Sequence, residues 1–126
     1  MSWSPILIAG LALAVFLGLK RLGLVSAAAA RAYLKQGALV VDVRSAEEFN
    51  AGHLPDVLNI PLSELKDRLP RLVFDKNQVL LLHCLSGTRS GLARQTLKAM
   101  GYANVFNLGS YGRAKKIVNQ PIEPAK

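Results

Sequence analysis

Four short apolar runs alternate with amphipathic segments, and this alternation constrains the fold of the chain more than any other feature. The runs occupy residues 38–43, 57–60, 78–83 and 104–108. The third run reads QVLLLH, and its four consecutive apolar residues are typical of a central strand that is covered on both faces. Strands that alternate with helices predict an α/β fold, in which a parallel sheet has helices packed on both sides.

Serines mark most of the predicted helix starts between these runs. A serine at such a position accepts a hydrogen bond from a free amide of the first helical turn, and a glycine often follows the last turn. The predicted helices start at Ser26, Ser45, Ser63, Ser90 and about residue 110. The Ser26 helix is expected to end near Lys35, before Gly37, and the Ser90 helix near Met100, before Gly101.

The N-terminal segment differs from the rest, because no side chain from Met1 to Leu19 ionises and 12 of the 15 residues at 5–19 are hydrophobic. As a helix, these 19 residues extend about 28 Å, close to the roughly 30 Å hydrocarbon core of a bilayer. Lys20 and Arg21 follow directly, and positive charge on this side predicts that the next residues are cytoplasmic. We therefore expect a single-pass membrane protein with a transmembrane anchor at 1–21, a cytoplasmic domain at 22–120 and a tail at 121–126.

Two alternatives remain open for this segment. The alanines at 27–30 resemble the cleavage site of a signal peptide, although the basic residues follow the apolar run instead of preceding it. A core helix of a soluble domain is the other alternative, but an amphipathic helix in such a domain normally carries a polar residue every third or fourth position, and this segment has none. Gly10, Ala14 and Gly18 are spaced four apart, which in a membrane helix predicts a face for close approach of a second copy and hence a homodimer.

Composition excludes several classes of site. The 126 residues include 16 Lys+Arg and 8 Asp+Glu, a formal net charge of +8, with 6% aromatic residues and one Cys. A single Cys excludes an intramolecular disulfide and any metal site that needs two thiolates from this chain, and we expect neither a metal nor an organic cofactor. Positive charge alone is a weak indication of nucleic acid, and with so few aromatic residues to stack bases we expect no nucleic-acid partner.

Chemistry is expected where the third run ends, since ligands of parallel α/β sheets bind at the carboxyl ends of the strands. The sequence there is His83-Cys84-Leu85-Ser86-Gly87-Thr88-Arg89-Ser90. A cysteine between a strand end and a helix start faces free amides and the positive end of the helix dipole, which favour a thiolate. Arg89 adds a cation that can hold an oxyanion. The alternative is a buried structural cysteine.

This loop, Cys84-x-x-Gly87-x-Arg89-Ser90, resembles the active-site loop of the rhodanese domain. Two further blocks match that family, Val41-Asp42-Val43-Arg44 with Glu48-Phe49-x-x-Gly52-His53-Leu54, and Asn59-Ile60-Pro61-Leu62. The resemblance extends from about Val25 to Leu108. It implies a five-stranded, mostly parallel sheet flanked by helices, and sulfur transfer through a persulfide on the cysteine.

The resemblance also implies roles for individual residues. Cys84 would take sulfane sulfur from a small-molecule donor such as thiosulfate and pass it to a thiol or cyanide. The loop amides that would surround the persulfide belong to Leu85, Ser86, Gly87, Thr88, Arg89 and Ser90. Arg89 would also bind an anionic donor, whereas Leu85 stands where many members have an arginine and leaves an apolar lip.

Four residues outside the loop are expected to support it or to move protons. Asp42 would anchor loop donors, and Arg44 would pair with a nearby carboxylate, for which Glu48 is the candidate. His53 is interpreted either as a proton shuttle or as a structural histidine at a helix end. Alternation along the strand places His83 on the opposite face from Cys84, which argues against its being a catalytic base.

Two rival functions remain open. A phosphatase or arsenate reductase of the cell-cycle phosphatase type shares the fold, but its loop places the arginine six residues after the cysteine, whereas Arg89 is five residues after Cys84. A non-catalytic rhodanese-like module tethered to a membrane is the second rival, and such modules commonly lack the cysteine.

Overall fold

A computed structural model of the chain describes residues 4–21 and 23–119, and within them four parallel strands form one sheet in the order β2-β1-β3-β4. The strands are β1 (Leu39–Asp42), β2 (Leu58–Asn59), β3 (Leu80–His83) and β4 (Val105–Gly109). The predicted parallel sheet is confirmed, and the most apolar run forms a strand with neighbours on both sides.

The predicted number of five strands is wrong for the described part of the chain. The position beside β4, where a fifth strand would lie, holds only an isolated parallel bridge between Leu24 and Asn107. Backbone hydrogen bonds from Val25 to Asn107 and from Asn107 to Gly23 form this bridge, both at 3.0 Å. Gly23 has φ +65, a left-handed conformation in which the chain turns.

Six α-helices and one short 3₁₀ helix at Leu62–Glu64 lie before, between and after the strands within the described residues. They are α1 (Pro5–Arg21), α2 (Ala27–Lys35), α3 (Ala46–Ala51), α4 (Leu65–Leu72), α5 (Thr88–Ala99) and α6 (Tyr111–Asn119). Helices α4 and α5 cover one face of the sheet, whereas α2 and α6 cover the other. The core therefore has two layers separated by the sheet.

Alternation along β3 distributes its side chains between these layers. Leu80, Leu82 and Cys84 belong to the layer under α4 and α5, while Leu81 belongs to the layer under α2 and α6. Each of these side chains is fully buried. The continuous apolar run thus reflects a strand with two protein-covered faces.

Two of the four predicted serine caps are confirmed, and two are wrong. Ser26 accepts from the amide of Ala29, and Ser45 forms a reciprocal capping box with Glu48. At Ser63 the chain first forms the 3₁₀ turn, so that α4 starts at Leu65. Ser90 lies within the first turn of α5, because that helix already begins at Thr88.

The predicted membrane anchor and single-pass membrane location are wrong. Among residues 4–21 and 23–119, the structure has no helix that is both long and apolar enough to cross a membrane. Helix α1 has 17 residues, and its last two are the basic pair Lys20 and Arg21. Its length is about 26 Å at 1.5 Å per residue, below the roughly 30 Å of hydrocarbon that a spanning helix must cross.

Two predictions for the chain ends have no structural test. The homodimer through Gly10, Ala14 and Gly18 stays a prediction, since the structure contains one chain. The proposed tail at 121–126 lies outside the described residues.

Candidate active site

Cys84 lies directly after β3, at the carboxyl end of the sheet, in the loop that leads into α5. The amide of Gly87 donates a hydrogen bond to its sulfur at 3.0 Å. The hydroxyl of Ser90 lies 3.5 Å from the same sulfur. The Cys84 side chain is fully buried, so these donors surround a thiol that water does not solvate.

Two opposing effects determine the charge on this sulfur. Burial raises the pKa of the Cys84 thiol, whereas hydrogen bonds from the Ser90 side chain and from the amides of Ser90, Gly87 and Ser86 lower it by more. The pKa consequently lies below its ordinary value. Donors directed at a buried sulfur stabilise its anion, which is the form that acts as a nucleophile.

Gly87 shapes the loop between the strand and the helix. Its φ of +96 is in the left-handed region, which glycine adopts without the steric cost that other residues incur. A side chain here would bring its Cβ within 3.3 Å of the Gly109 backbone. This conformation turns the Gly87 amide toward Cys84 and lets α5 begin at the next residue.

Asn107 of β4 holds this turn in place, and the sequence interpretation missed it. Its side-chain amide donates to the Gly87 carbonyl at 3.0 Å, and its carbonyl oxygen lies 2.7 Å from the Ser90 hydroxyl oxygen and accepts from the Gly109 amide at 2.8 Å. Asn107 is fully buried. The available signal was a polar residue inside the apolar run at 104–108, because a buried amide needs hydrogen-bond partners.

Arg89 does not extend freely toward the loop but forms a two-pronged ion pair with Glu48. The two distances between guanidinium nitrogen and carboxylate oxygen are 2.7 and 3.0 Å. Hydrogen bonding to Glu48 raises the pKa of Arg89, while hydrogen bonding to Arg89 holds the pKa of Glu48 at about 2. The predicted pairing of Glu48 with Arg44 is wrong, because Glu48 faces the Cys84 loop from α3.

Arg44 pairs instead with Asp42, two residues earlier. Its Nη2 lies 2.8 Å from Asp42 Oδ2, and its backbone amide donates to Asp42 Oδ1 at 3.0 Å. Arg44 also donates to the Gly52 carbonyl at 2.8 Å and lies over the Tyr111 ring at 4.5 Å. Asp42 therefore anchors the loop that follows β1, and Arg44 ties that loop to the end of α3.

The two histidines lie apart from the cysteine's donors. His53 contacts the Leu54 carbonyl with its Nδ1 at 2.8 Å and stacks on Phe49 at 3.9 Å, at the end of α3. His83 is fully buried, and its Nε2 lies 3.7 Å from Asp42 Oδ2 and has no hydrogen-bond partner among the described residues. Burial lowers the pKa of His83, which favours the neutral imidazole, although the Asp42 carboxylate raises it.

The remaining loop residues form the outer surface of the site. Leu85 is 58% exposed, and its carbonyl accepts from the Tyr111 amide at 3.1 Å. The hydroxyl of Ser86 lies 3.5 Å from that of Thr88. No three His, Cys, Asp or Glu side chains come together as potential metal ligands in the described ranges 4–21 and 23–119. The arrangement is suited to stabilising a sulfur anion with protein hydrogen bonds.

The fold and this loop define a class of protein, and comparison with protein families agrees. The model of the rhodanese-like domain matches residues 26–112, which is more than half of the chain. The chain belongs to the rhodanese-like domain family. The matched region contains all four strands and the whole loop between Cys84 and Ser90.

Individual relatives are similar over the same region. Thiosulfate sulfurtransferase PspE of Escherichia coli (strain K12) is 41% identical over 69 residues, which are 55% of this chain and 66% of PspE. The match thus spans just under two thirds of that relative.

Two solved structures have the same fold. One is a rhodanese with anions from E. coli, at 36% identity and a TM-score of 0.59, covering 61% of this chain and 91% of that one. The other is the human single-domain sulfurtransferase TSTD1, at 31% identity and a TM-score of 0.64, covering 75% of this chain and 96% of that one.

Proposed function

We propose that this chain is a sulfurtransferase of the rhodanese type and that Cys84 carries the transferred sulfur as a persulfide. The observation that carries the proposal is the set of donors around the Cys84 sulfur, with the Gly87 amide at 3.0 Å and the Ser90 hydroxyl at 3.5 Å. Relatives named as sulfurtransferases add support. The donor is a sulfane-sulfur compound such as thiosulfate, and the acceptor is a thiol or cyanide.

The reaction proceeds in two displacements at sulfur. The Cys84 thiolate attacks the outer sulfur of thiosulfate, sulfite leaves with the electron pair of the broken S–S bond, and Cys84 becomes a persulfide. A thiolate or cyanide then attacks the outer sulfur of that persulfide, and the Cys84 thiolate is regenerated. Both steps keep a negative charge beside the loop amides, where a single donor in comparable anion sites contributes about 2.7–4 kcal/mol.

Access to the sulfur requires movement in the free protein, because Cys84 is fully buried. Leu85, which is the exposed residue next to it, forms the outer edge of the loop. We expect the loop side chains to move aside when a donor binds and to close over the persulfide afterwards. Water exclusion would then protect the persulfide from side reactions.

A phosphatase function is less well supported by the same geometry. A tetrahedral phosphate would need the Arg89 guanidinium, and both terminal nitrogens of that group are bound to Glu48. The loop between Cys84 and Arg89 is also one residue shorter than in the phosphatase class. A non-catalytic module is the remaining alternative, and it predicts no turnover at all.

The experiment that tests the proposal is a steady-state assay of thiocyanate formation from thiosulfate and cyanide. The purified chain should form thiocyanate, and Cys84→Ser should abolish the reaction while leaving the melting temperature within a few degrees. Hydrolysis of p-nitrophenyl phosphate is measured in parallel. Phosphate ester hydrolysis without thiocyanate formation would contradict the proposal, as would full activity in Cys84→Ser.

A further inference from the structure

The charge available to a substrate at this site is smaller than the sequence indicates. Arg89 is the only charged side chain between Cys84 and Ser90. Glu48 neutralises it through two short contacts, and the pair is about one-third exposed on each side, at 36% and 32%. Glu48 is itself held in place by Ser45, whose amide donates to the same carboxylate at 3.2 Å. A dianion approaching the loop therefore meets a neutral pair, with a carboxylate already on the guanidinium.

The surface beside this pair is apolar. A groove of about 330 Å³ is lined by Val43, Pro61, Leu62, Ser45, Ser63 and Arg89. This volume is at the lower end of the range for small-molecule pockets, which are mostly lined by apolar side chains with a few polar groups. On the outer edge of the Cys84 loop, the 58% exposed Leu85 adds a further apolar side chain.

Backbone contacts place the groove close to the reacting sulfur. The Val43 amide donates to the carbonyl of His83, the residue before Cys84, at 3.0 Å. The Leu62 amide in turn donates to the Val43 carbonyl at 3.0 Å. Val43 and Cys84 also belong to the same layer of the core. The groove therefore lies at the same end of the sheet as Cys84.

We infer that the site selects sulfur donors that carry an apolar organic group and low charge over the thiosulfate dianion, with Glu48 neutralising Arg89 and the groove holding the organic group. This inference rests on the proposed sulfur transfer through Cys84. It assigns Glu48, together with the residues lining the groove, to the recognition of the donor.

The chemistry of the first step is unchanged for such a donor. With an organic thiosulfonate, the Cys84 thiolate attacks the terminal sulfur, and the bond between that sulfur and the sulfonyl sulfur breaks. The sulfinate leaves with the electron pair, and Cys84 retains the terminal sulfur as a persulfide anion. Two negative charges are present before and after the step, and no oxidant or reductant is required.

Three sulfur donors, each assayed with the full-length chain, separate the effect of donor charge from that of donor shape. Thiosulfate is a dianion, methanethiosulfonate is a small monoanion, and benzenethiosulfonate is a monoanion with an aromatic ring. Each is assayed with cyanide as acceptor. We expect kcat/KM for benzenethiosulfonate to exceed that for methanethiosulfonate by about tenfold, since a few buried carbon atoms in a pocket give discrimination of this order. Thiosulfate should be the poorest of the three donors.

Two substitutions test the two parts of the inference. Glu48→Gln removes the neutralising charge but keeps an oxygen for the Ser45 amide, and it should raise kcat/KM for thiosulfate about fivefold relative to methanethiosulfonate, mainly through KM. Glu47→Gln is the matched control. It removes the same charge from α3, but at an exposed neighbouring position. Ser63→Phe places a ring at the exposed edge of the groove and should lower the ratio of benzenethiosulfonate to methanethiosulfonate activity about tenfold.

The outcomes distinguish this inference from the proposed function. If none of the donors gives thiocyanate or a Cys84 persulfide, the proposed function fails. If all three are used but benzenethiosulfonate has no advantage over methanethiosulfonate, or if Ser63→Phe leaves their ratio unchanged, the groove does not hold the organic group. If Glu48→Gln and Glu47→Gln change thiosulfate use equally, Glu48 has no role in recognition.

Discussion

At the scale of single residues, the sulfur of Cys84 is controlled by hydrogen-bond donors whose effect exceeds that of its burial. A fully buried thiol without donors would have a raised pKa and react slowly. Here the Ser90 hydroxyl and three loop amides reverse the sign of the shift. The Ser90 side chain is the largest of these lowering contributions, so it is the appropriate group to remove.

We predict that alkylation of Cys84 by iodoacetamide rises with pH and has its midpoint below the ordinary pKa of a cysteine, about 8.5. The rate follows the thiolate, which predominates once the pH exceeds the lowered pKa. Ser90→Ala should move the midpoint upward by about one unit, since a hydrogen bond to a charged group contributes about 1.5–3 kcal/mol.

The control for this experiment is Ser86→Ala, which keeps the contributing amide and removes only a hydroxyl that lies 3.5 Å from Thr88 Oγ1. Its midpoint should move less than that of Ser90→Ala. Identical profiles for the wild-type chain and Ser90→Ala would show that the serine hydroxyl does not stabilise the thiolate.

At the scale of secondary-structure elements, the loop after β3 is shaped by α5 and β4 together. The left-handed Gly87 starts α5, and Asn107 of β4 holds both the Gly87 carbonyl and the Ser90 hydroxyl. The donors of the sulfur are therefore positioned by an element that lies about 20 residues further along the chain. Substitutions in β4 should therefore change the pKa of the Cys84 thiol, although the substituted side chain does not contact the sulfur.

Asn107→Ala should lower the free energy of unfolding by about 1–3 kcal/mol, because it removes the acceptor of the buried Gly109 amide and one donor to the Gly87 carbonyl. The same substitution should raise the midpoint of the alkylation profile. Asn104→Ala provides the control at the other end of the same run, where the side chain makes an exposed hydrogen bond to the Asn77 carbonyl. Urea unfolding and alkylation of both variants check this prediction, and equal effects of the two substitutions would contradict it.

Gly87→Ala should destabilise the fold more than Gly101→Ala does. Both glycines have a left-handed φ, +96 and +98, so both substitutions incur a conformational cost of about 1–2 kcal/mol. Only at Gly87 would the new Cβ meet backbone, the 3.3 Å contact with Gly109, whereas nothing lies within 4 Å at Gly101. Denaturant unfolding measures the difference in the free energy of unfolding. An equal loss at both positions would show that the loop moves to accommodate the new Cβ at Gly87 without a measurable loss of stability.

Sequence patterns predicted the order of strands and helices well, because each apolar run is local and its burial on two faces requires a continuous apolar sequence. The start of α5 was harder to predict from the sequence. Serine commonly caps helices, which favoured Ser90, whereas the left-handed Gly87 begins the helix earlier. The Arg89–Glu48 pair joins residues 41 positions apart. Such a pairing depends on how α3 and α5 meet, and no local pattern specifies it.

At the scale of the whole molecule, the rhodanese-like domain and α1 differ in their packing. Both layers of the core are formed from Val25 onward, and the α1 side chains at residues 5–18 are exposed, with Ile6 at 81% and Leu11 at 68%. We propose that the domain begins after α1. Because the described side chains of α1, at residues 5–18, belong to neither core layer, we expect its removal to leave the fold unaltered.

A chain that begins at residue 22 should therefore unfold at a Tm within about 4 °C of the full chain, less than a change of ~1 kcal/mol would produce in a domain of this size. Its rate of thiocyanate formation should also match. Thermal unfolding followed by circular dichroism measures the Tm, and the assay with thiosulfate and cyanide measures the rate of thiocyanate formation. A much lower Tm would show that α1 stabilises the domain.

Intact-mass measurement shows directly whether Cys84 itself carries the transferred sulfur. The full-length protein is incubated with thiosulfate or benzenethiosulfonate, freed of excess donor and measured without reducing agent, beside Cys84→Ser. We predict an added mass of one sulfur atom, about 32 Da, on the intact chain, lost on addition of cyanide and absent in Cys84→Ser. Thiocyanate formation without that added mass, or the same added mass in Cys84→Ser, would contradict it.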